Sequence, residues 1–199
     1  MLGKEGLQQR NYNLSWYNNP WFVMYQNLNG YRKDNTYGEA TLTYQFNKDW
    51  SLKFRNGFNE YAVDQDNKEP YSFIGGNNSA ETGDYWIKNE NYFDINTDLI
   101  LTYNHTFNKN WILNVTAGAA NHYTNYKSAY TITDGLTIPG FYNLANSAGP
   151  LTATNTLNET RIASVYAMAD LQAMKFLYFS FTGRTDQTST LPLAHRSEE

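Results

Sequence analysis

Apolar and polar residues alternate along the stretch from residue 36 to residue 63, with one short break. On both sides of the break every second residue is apolar, as in ATLTYQF before it and WSLKF after it. Successive side chains of a β-strand point to opposite faces, so a period of two predicts strands. The break at 47–49, NKD, is short and polar. We therefore predict an antiparallel hairpin made of two strands, Thr36 to Asn47 and Trp50 to Val63.

The same alternation returns four more times further along the chain. Leu99 and Leu101, for example, alternate with polar residues such as Asp98 and Thr102. The pattern predicts a third strand from Phe93 to Phe107, a fourth beginning at Trp111, a fifth through Val165 and Leu171, and a sixth through Leu177 and Arg184.

The predicted connections alternate between tight and long. Consecutive antiparallel strands place alternate connections at opposite ends of a sheet, so the long loops fall at one end and the tight turns at the other. Outer-membrane barrels have this arrangement. The tight turns are predicted at 47–49, 108–110 and 174–175, and the long polar segments at 64–90 and 127–158.

The predicted strands are long, and aromatic residues flank their tight turns. A tilted strand needs about 9–11 residues to cross a membrane, whereas globular strands usually have about 5–6. Trp50 and Trp111 follow two of the turns, and Phe46 and Phe107 precede them on the same apolar face. Aromatic collars of this kind mark the membrane interface. The pattern predicts an all-β fold, an antiparallel transmembrane β-barrel segment of about six long strands.

A soluble carbohydrate-binding β-sandwich or jelly roll is the alternative, because it also has alternating strands and uneven loops. It would bury the apolar faces between two stacked sheets, whereas a barrel would turn them to lipid. An enzyme such as a glycoside hydrolase is a more distant alternative, and it requires two acidic side chains that converge across a cleft.

The first 35 residues lack clear alternation and are predicted as a loop region with one short helix. Asn19 and Pro20 suit the N-cap and the first position of that helix, although a strand also fits WFVMYQNL. The N-terminus has no apolar signal segment, and no closing strand follows the last predicted one. We expect a barrel fragment at 36–192 and a truncated tail at 193–199, with a plug domain and further strands outside this sequence.

Composition narrows the classes of function. The net charge is -4 and the charges are spread along the chain, so nothing favours nucleic acid as a partner. The sequence has no cysteine, which excludes disulfides, thiol nucleophiles and cysteine metal sites. No run approaches the roughly 18 uninterrupted apolar residues that a membrane helix requires. The aromatic content of 17% is high for a soluble domain of this polarity.

No catalytic, metal or cofactor site is predicted. DINTD at 94–98 resembles the start of a calcium loop, but Leu99 stands where that loop needs glycine and His105 where it needs glutamate. His122 and His195 lack metal-ligand spacing, and no nucleotide-binding or serine-hydrolase fingerprint occurs. We therefore expect that the protein is not an enzyme.

Two groups of side chains are candidates for binding. Four aromatics in the long polar segments offer faces on which a sugar ring stacks, with packing inside the loops as the alternative: Tyr85, Trp86, Phe141 and Tyr142. The second group faces the lumen if the strands belong to a barrel, where it either lines the path or holds a plug. Holding the plug is favoured, because a closed lumen of that size is filled by protein. This group comprises Lys53, Arg55, Asp94, Asp98, His122 and Arg184.

Five segments carry a family resemblance, and they occur in the family's own order. The most characteristic is FTGRTDQTSTLP at 181–192. The others are NPW at 19–21, WSLKFRNGFNEY at 50–61, GLTIPGFYNLANS at 135–147 and SVYA at 164–167. As a set, these segments resemble the SusC/RagA family of TonB-dependent outer-membrane transporters.

The resemblance implies a slice of a barrel with about 22 strands in the bacterial outer membrane, where one face of the sheet contacts lipid. It implies that the short turns face the periplasm and that the long loops face outward. There a SusD-like lipoprotein would cover the barrel and help to capture glycans or peptides. The TonB complex would supply energy through an N-terminal region outside this sequence. The expected function is import of oligosaccharides or peptides, without a cofactor.

Overall fold

The computed structural model describes residues 8–11, 17–74, 82–174 and 176–190. The predicted tail at 193–199, including His195, lies outside the described residues. In the described part, an α-helix and a 3-10 helix accompany six strands. The elements are α1 (Pro20–Gln26), β1 (Leu28–Gln45), β2 (Trp50–Glu69), β3 (Asp84–Asn108), β4 (Trp111–Ile132), the 3-10 helix (Leu144–Asn146), β5 (Thr152–Ala173) and β6 (Leu177–Thr188).

The short helix begins where the sequence predicts. The side chain of Asn19 accepts hydrogen bonds from the backbone N–H groups of Trp21 and Phe22, so it caps two donors that have no partner inside the helix. Pro20 occupies the first helical turn, where its missing N–H costs nothing. Phe22 is buried and anchors the helix. The prediction of a helix rather than a strand is confirmed.

All six strands belong to one sheet in which sequence neighbours are spatial neighbours, β1-β2-β3-β4-β5-β6. The strands are antiparallel, as in the β5–β6 pair, whose register runs from Ala173 opposite Leu177 to Ile162 opposite Thr188. A sandwich needs two sheets with an apolar layer between them. In the part of the chain that the structure describes, the single sheet contradicts that alternative and confirms the predicted antiparallel fold.

Asparagine side chains close the two NK turns. Asn47 Oδ1 accepts hydrogen bonds from the N–H groups of Asp49 and Trp50, at 2.8 and 3.0 Å. Asn108 repeats the first of these contacts with Asn110, at 2.8 Å. An asparagine that bonds to the backbone two residues ahead imitates a backbone turn, which explains why NKD and NKN join strands so tightly.

The strands extend further into the polar segments than their side chains predict. β1 starts at Leu28 rather than Thr36, and β5 starts at Thr152, inside the segment predicted as loop. β3 starts at Asp84, so Tyr85 and Trp86, which were assigned to a loop, lie in a strand. The physical reason is that the ladder joins backbone groups, which every non-proline residue carries. Thr133 N–H, for example, donates to the Tyr85 carbonyl at 3.0 Å.

The described residues fall into two compact units. The loop unit comprises Met1–Asp34, Tyr61–Asn91 and Lys127–Leu157, and it contains α1 and both long connections. The turn unit comprises Asn35–Glu60, Tyr92–Tyr126 and Asn158–Glu199, and it contains the tight turns.

The turn unit leaves its large apolar side chains uncovered. Ala173 is its single buried apolar residue among those described, whereas Leu42 is 71% exposed and Phe181 67% exposed. Many others are exposed too, including Tyr44, Phe46, Phe54, Phe58, Leu99, Phe107, Val165 and Phe179. An apolar surface of this extent marks contact with a partner or with lipid. In the described residues no helix combines the length and apolarity needed to cross a membrane.

Candidate functional site

A network of polar side chains covers one face of the turn unit. Arg55 on β2 donates from Nε and Nη2 to Asp98 Oδ2 on β3, at 2.8 and 2.6 Å. Alternation places both on the face opposite Leu99. The Asp98 side chain is 17% exposed and that of Arg55 47% exposed, so the pair lies along the surface rather than inside a core.

A second pair on this face joins β3 to β4. His122 Nε2 lies 2.5 Å from Asp94 Oδ2. The other oxygen of Asp94 accepts from Asn96 Nδ2 at 2.8 Å, and Tyr92 donates to Oδ2 at 3.3 Å. These contacts hold the carboxylate in one orientation and explain why a histidine without metal-ligand spacing occurs here.

Arg184 on β6 belongs to the same face. Its Nη2 donates to Ser164 Oγ on β5 at 3.2 Å, and its Nε donates to Asp186 at 2.9 Å. A cavity of about 530 Å³ is lined by four of the predicted lumen residues together with other polar groups: Arg55, Asp98, His122, Arg184, Glu39, Asn96 and Ser164. Lys53 is exposed and does not line this cavity. The structure therefore gathers most of the group that the alternation selected.

Tyr166 lines this cavity, and a glycine of β4 makes room for its ring. A Cβ atom on Gly118 would lie 2.3 Å from Tyr166 Cζ, so the absence of a side chain on β4 makes room for the ring. Gly118 is buried and Tyr166 is half-buried. Packing a large ring over a strand glycine shields the backbone that the glycine would expose.

The four candidate aromatics do not form one surface. Tyr85 packs beside Tyr142, with ring centroids 6.3 Å apart and planes at 47°. Trp86 is the next residue along β3 and points to the other face, where its ring lies 5.6 Å from that of Tyr130. Phe141 is 56% exposed. Sequence reasoning therefore missed Tyr130, which its position near the end of β4 does not reveal without the register.

Asn146 holds the loop that presents Phe141 and Tyr142. Its Oδ1 accepts from Ile138 N–H at 3.1 Å, and its Nδ2 donates to the carbonyls of Ile138 and Phe141 at 2.9 and 2.7 Å. Leu136, 1% exposed, anchors the loop from below. Burial raises the pKa of the Tyr142 phenol above its usual value. This framework makes the connection a built structure rather than an open coil.

Acidic residues at the end of β2 and the start of β3 also escaped the sequence analysis. Asp84 is fully buried, and its Oδ1 accepts hydrogen bonds from Thr133 Oγ1 and Gly135 N–H at 3.0 and 2.8 Å. Glu69 is 7% exposed. ETGD reads as an exposed turn in the sequence, which is why Asp84 was overlooked. In the described residues no group of three or more His, Cys, Asp or Glu is arranged to hold a metal ion.

The fold and the distribution of polar groups together define the structural class to which this chain belongs. Six consecutive antiparallel strands with one apolar face and one charged face are the pattern of a transmembrane β-barrel.

Three solved structures of a peptide transport system have a similar fold. The chain superposes on the RagAB peptide transporter with a TM-score of 0.80 and 14% identity, over 90% of this chain and 20% of that one. The TM-score is 0.74 for the RagAB peptide importer in its open-open state (15% identity) and in its closed-closed state (14% identity), again over 90% and 20% of the two chains. The chain thus spans about a fifth of the solved chains.

At 14% identity the similarity establishes the fold alone. As far as the fold is concerned, it confirms the resemblance to the SusC/RagA family. No protein-family model matches the sequence, and no curated protein sequence matches it significantly.

Proposed function

We propose that this chain forms part of the barrel of a TonB-dependent outer-membrane importer that takes up oligosaccharides or peptides. Residues 36–192 would supply barrel strands, and the plug domain and remaining strands would lie outside this sequence, as would the continuation of the tail at 193–199. Residues 1–27, which include the short helix, would form the segment that leads into β1, and the part of β1 from Leu28 onward would belong to the barrel as well.

One observation carries the proposal: an exposed apolar face lies on a sheet whose fold matches that of a transporter at a TM-score of 0.80. Contact with lipid removes this apolar surface from water, which stabilises the folded protein by about 25 cal/mol for each Å² that is buried. A tilted strand needs about 9–11 residues for the crossing, so the turn-unit part of β3, from Tyr92 to Asn108, is long enough.

The polar face would then look into the lumen. Lys53, Arg55, Asp94, Asp98, His122 and Arg184 would hold the plug or line the path beside it. The Arg55–Asp98 ion pair neutralises charge on that face, which favours a role in packing against protein over attraction of a charged solute.

Substrate contact is assigned to the loop unit. Tyr85 and Tyr142 offer adjacent ring faces, Phe141 is exposed, and Trp86 stacks on Tyr130 at the opposite face of β3. Because the solved transporter is described as a peptide importer, peptide is the first substrate class to test. The partners in this proposal are the TonB complex, a SusD-like lipoprotein over the long loops, and outer-membrane lipid.

Uptake by intact cells tests this function. Cells that express the full-length protein should accumulate labelled peptides or oligosaccharides, and deletion of the gene should abolish that accumulation. Collapse of the proton gradient should stop uptake as well, since TonB-dependent import draws its energy from the inner membrane. Unchanged uptake of both substrate classes after deletion, or recovery of the protein in the soluble fraction, would contradict the proposal.

The aromatic assignment has its own test. Tyr85→Ala should raise the substrate concentration needed for half-maximal uptake by about 5–10-fold, the effect of losing roughly 1 kcal/mol of ring contact. Tyr31→Ala removes an exposed ring elsewhere in the loop unit and should leave uptake unchanged. Equal effects of the two changes would remove Tyr85 from the substrate site.

A further inference from the structure

Two carboxylates face each other where β2 ends and β3 begins. Asn89 Nδ2 donates to Asp64 Oδ1 at 2.6 Å. The backbone bond from Asn104 N–H to the Asp49 carbonyl, at 2.8 Å, and the Arg55–Asp98 pair follow the same register of β2 against β3. Five residues onward from Asp64 along β2 and five residues back from Asn89 along β3, this register brings Glu69 opposite Asp84. Side chains that are directly opposite in an antiparallel pair have Cβ atoms about 4.5–5.5 Å apart, and like charges in that position are destabilising.

Burial makes this arrangement more costly. Asp84 is 0% exposed, Glu69 is 7% exposed and Asn67, which shares a face of β2 with Glu69, is 6% exposed. Carboxylates removed from water need a compensating partner. Among the residues that the structure describes, no cationic side chain pairs with Glu69. Burial, and secondarily the charge of Asp84, raises the pKa of the Glu69 carboxyl above its usual value, while the hydrogen bond from Asn67 opposes that rise.

Two oxygens of the cluster are not satisfied by its hydrogen bonds. Asn67 Nδ2 donates to Glu69 Oε1 at 3.1 Å, which sets the amide beside the carboxylate. Glu69 Oε2 and Asn67 Oδ1 are buried and have no hydrogen-bond partner among the described residues. Both are acceptors only, so they cannot satisfy each other, and a donor or a cation is required.

We propose that Glu69, Asp84 and Asn67 bind a divalent cation, Ca²⁺. Two carboxylates and an amide oxygen are hard oxygen ligands, which calcium prefers, and the absence of His and Cys from the cluster argues against transition metals. Calcium tolerates irregular coordination by six to eight oxygens better than magnesium does, so water and backbone carbonyls complete its shell. Only two of the three proposed ligands, Glu69 and Asp84, are acidic, so the cluster is not one of the groups of three or more acidic or histidine ligands that mark a typical metal site.

A shared proton is the competing way to neutralise the pair. A proton on Glu69 Oε2 would relieve the repulsion and could be donated to Asn67 Oδ1. One proton would still leave the other carboxylate charged, whereas a divalent cation balances both. The cation also has a structural role. Asp84 is bonded to Thr133 and Gly135, so calcium would tie the β2–β3 end to the connection after β4 and order both. This role does not depend on transport.

Terbium luminescence tests the site. Tb³⁺ replaces Ca²⁺ at oxygen sites, and a nearby indole excites it. Three residues onward from Asp64 and three back from Asn89, the register places Trp86 opposite Asn67. The full-length protein in detergent, stripped with a chelator, should give indole-sensitised Tb³⁺ emission that Ca²⁺ displaces. Trp86→Phe should remove this emission while calorimetry still detects Ca²⁺ binding.

Charge variants complete the experiment. Glu69→Gln should lower Ca²⁺ affinity at least about tenfold, because it removes one anionic ligand. Asp64→Asn, which removes the same charge from the opposite face of β2, should leave affinity unchanged. Asn67→Asp adds an anionic ligand and should raise affinity, a gain that misfolding cannot produce. Wild-type affinity in Glu69→Gln, or the absence of any calcium-displaceable emission that depends on Trp86, would overturn the proposal.

Discussion

At the scale of single residues, Gly118 explains how an aromatic ring fits into the wall of the polar cavity. Gly118→Ala would place its Cβ on Tyr166, and the ring would have to swing out of its position. We expect a loss of about 1–3 kcal/mol in stability, the usual cost of overpacking. The measurement is the unfolding temperature of the full-length protein in detergent, monitored by the change in gel migration between the folded and the heat-denatured form.

Gly183→Ala is the matched control, because no atom lies within 4 Å of the Cβ that it would add on β6. It should not lower the unfolding temperature. A second variant with both Gly118→Ala and Tyr166→Ala should recover part of the loss. If both glycine substitutions have the same effect, the packing of Tyr166 against Gly118 is not what sets the requirement for glycine.

Asn146 is a second residue whose role the geometry specifies. Asn146→Ala removes three hydrogen bonds and leaves the Ile138 and Phe141 backbone groups without their partner. Opening of this loop should become easier by about 1–3 kcal/mol. Hydrogen exchange at the Ile138 amide should therefore accelerate at least about tenfold. Asn155→Ala, at an exposed position of β5, serves as the control. Unchanged exchange at Ile138 would contradict this role.

At the scale of strands, the faces were predictable and the ends were not. The pleat has a fixed period of two, so alternation alone placed Arg55 and Asp98 on one face and Leu99 on the other. Strand ends depend on how long the partner's backbone continues, which side-chain polarity does not encode. Tyr85 and Asp84 were misjudged for this reason, since the polar run that precedes them resembles a loop.

The two faces should respond differently to charge. Leu99→Arg places a cation on the apolar face and should destabilise the folded protein by about 2–4 kcal/mol near the middle of the membrane. Asn96→Arg places the same side chain on the polar face of the same strand and should cost far less. The two variants are compared by the amount of each that reaches the outer membrane in the folded, heat-modifiable form. Equal yields would contradict a lipid-facing assignment of Leu99.

The β2–β3 end should also be sensitive to pH in the presence of a chelator. The pKa of Glu69 is raised in the folded state, so the folded state holds a proton more tightly than the unfolded one. Stability is therefore greatest below the usual carboxyl pKa and falls as pH rises toward the raised value. Hydrogen exchange at the Thr133 amide, corrected for its intrinsic pH dependence, should report this trend. Glu69→Gln should remove it, and a trend that survives the substitution would exclude Glu69 as its source.

At the scale of the whole molecule, the order of six strands and the uneven connections were sufficient to predict the fold. Long runs of alternation selected an antiparallel sheet, and the absence of a second sheet in the described residues agrees with the exposed apolar face of the turn unit. The candidate site was only partly predictable. That Arg55 and Asp98 share a face follows from alternation. Their pairing, the Asn146 framework and the Glu69–Asp84 pair depend on register and on contacts across connections, which sequence spacing does not fix.

The two-sided sheet is the central claim, and nitroxide scanning along β3 tests it most directly. This chain has no cysteine, so single cysteines can be introduced at each position from Ile95 to Leu101 and labelled specifically. Any cysteine in the rest of the full-length protein is first replaced. In lipid vesicles, labels at odd-numbered positions should be accessible to oxygen, which partitions into lipid. Labels at even-numbered positions should instead be accessible to a water-soluble nickel complex or be held by protein. Accessibility without this period of two, or odd positions open to the nickel complex, would contradict the account.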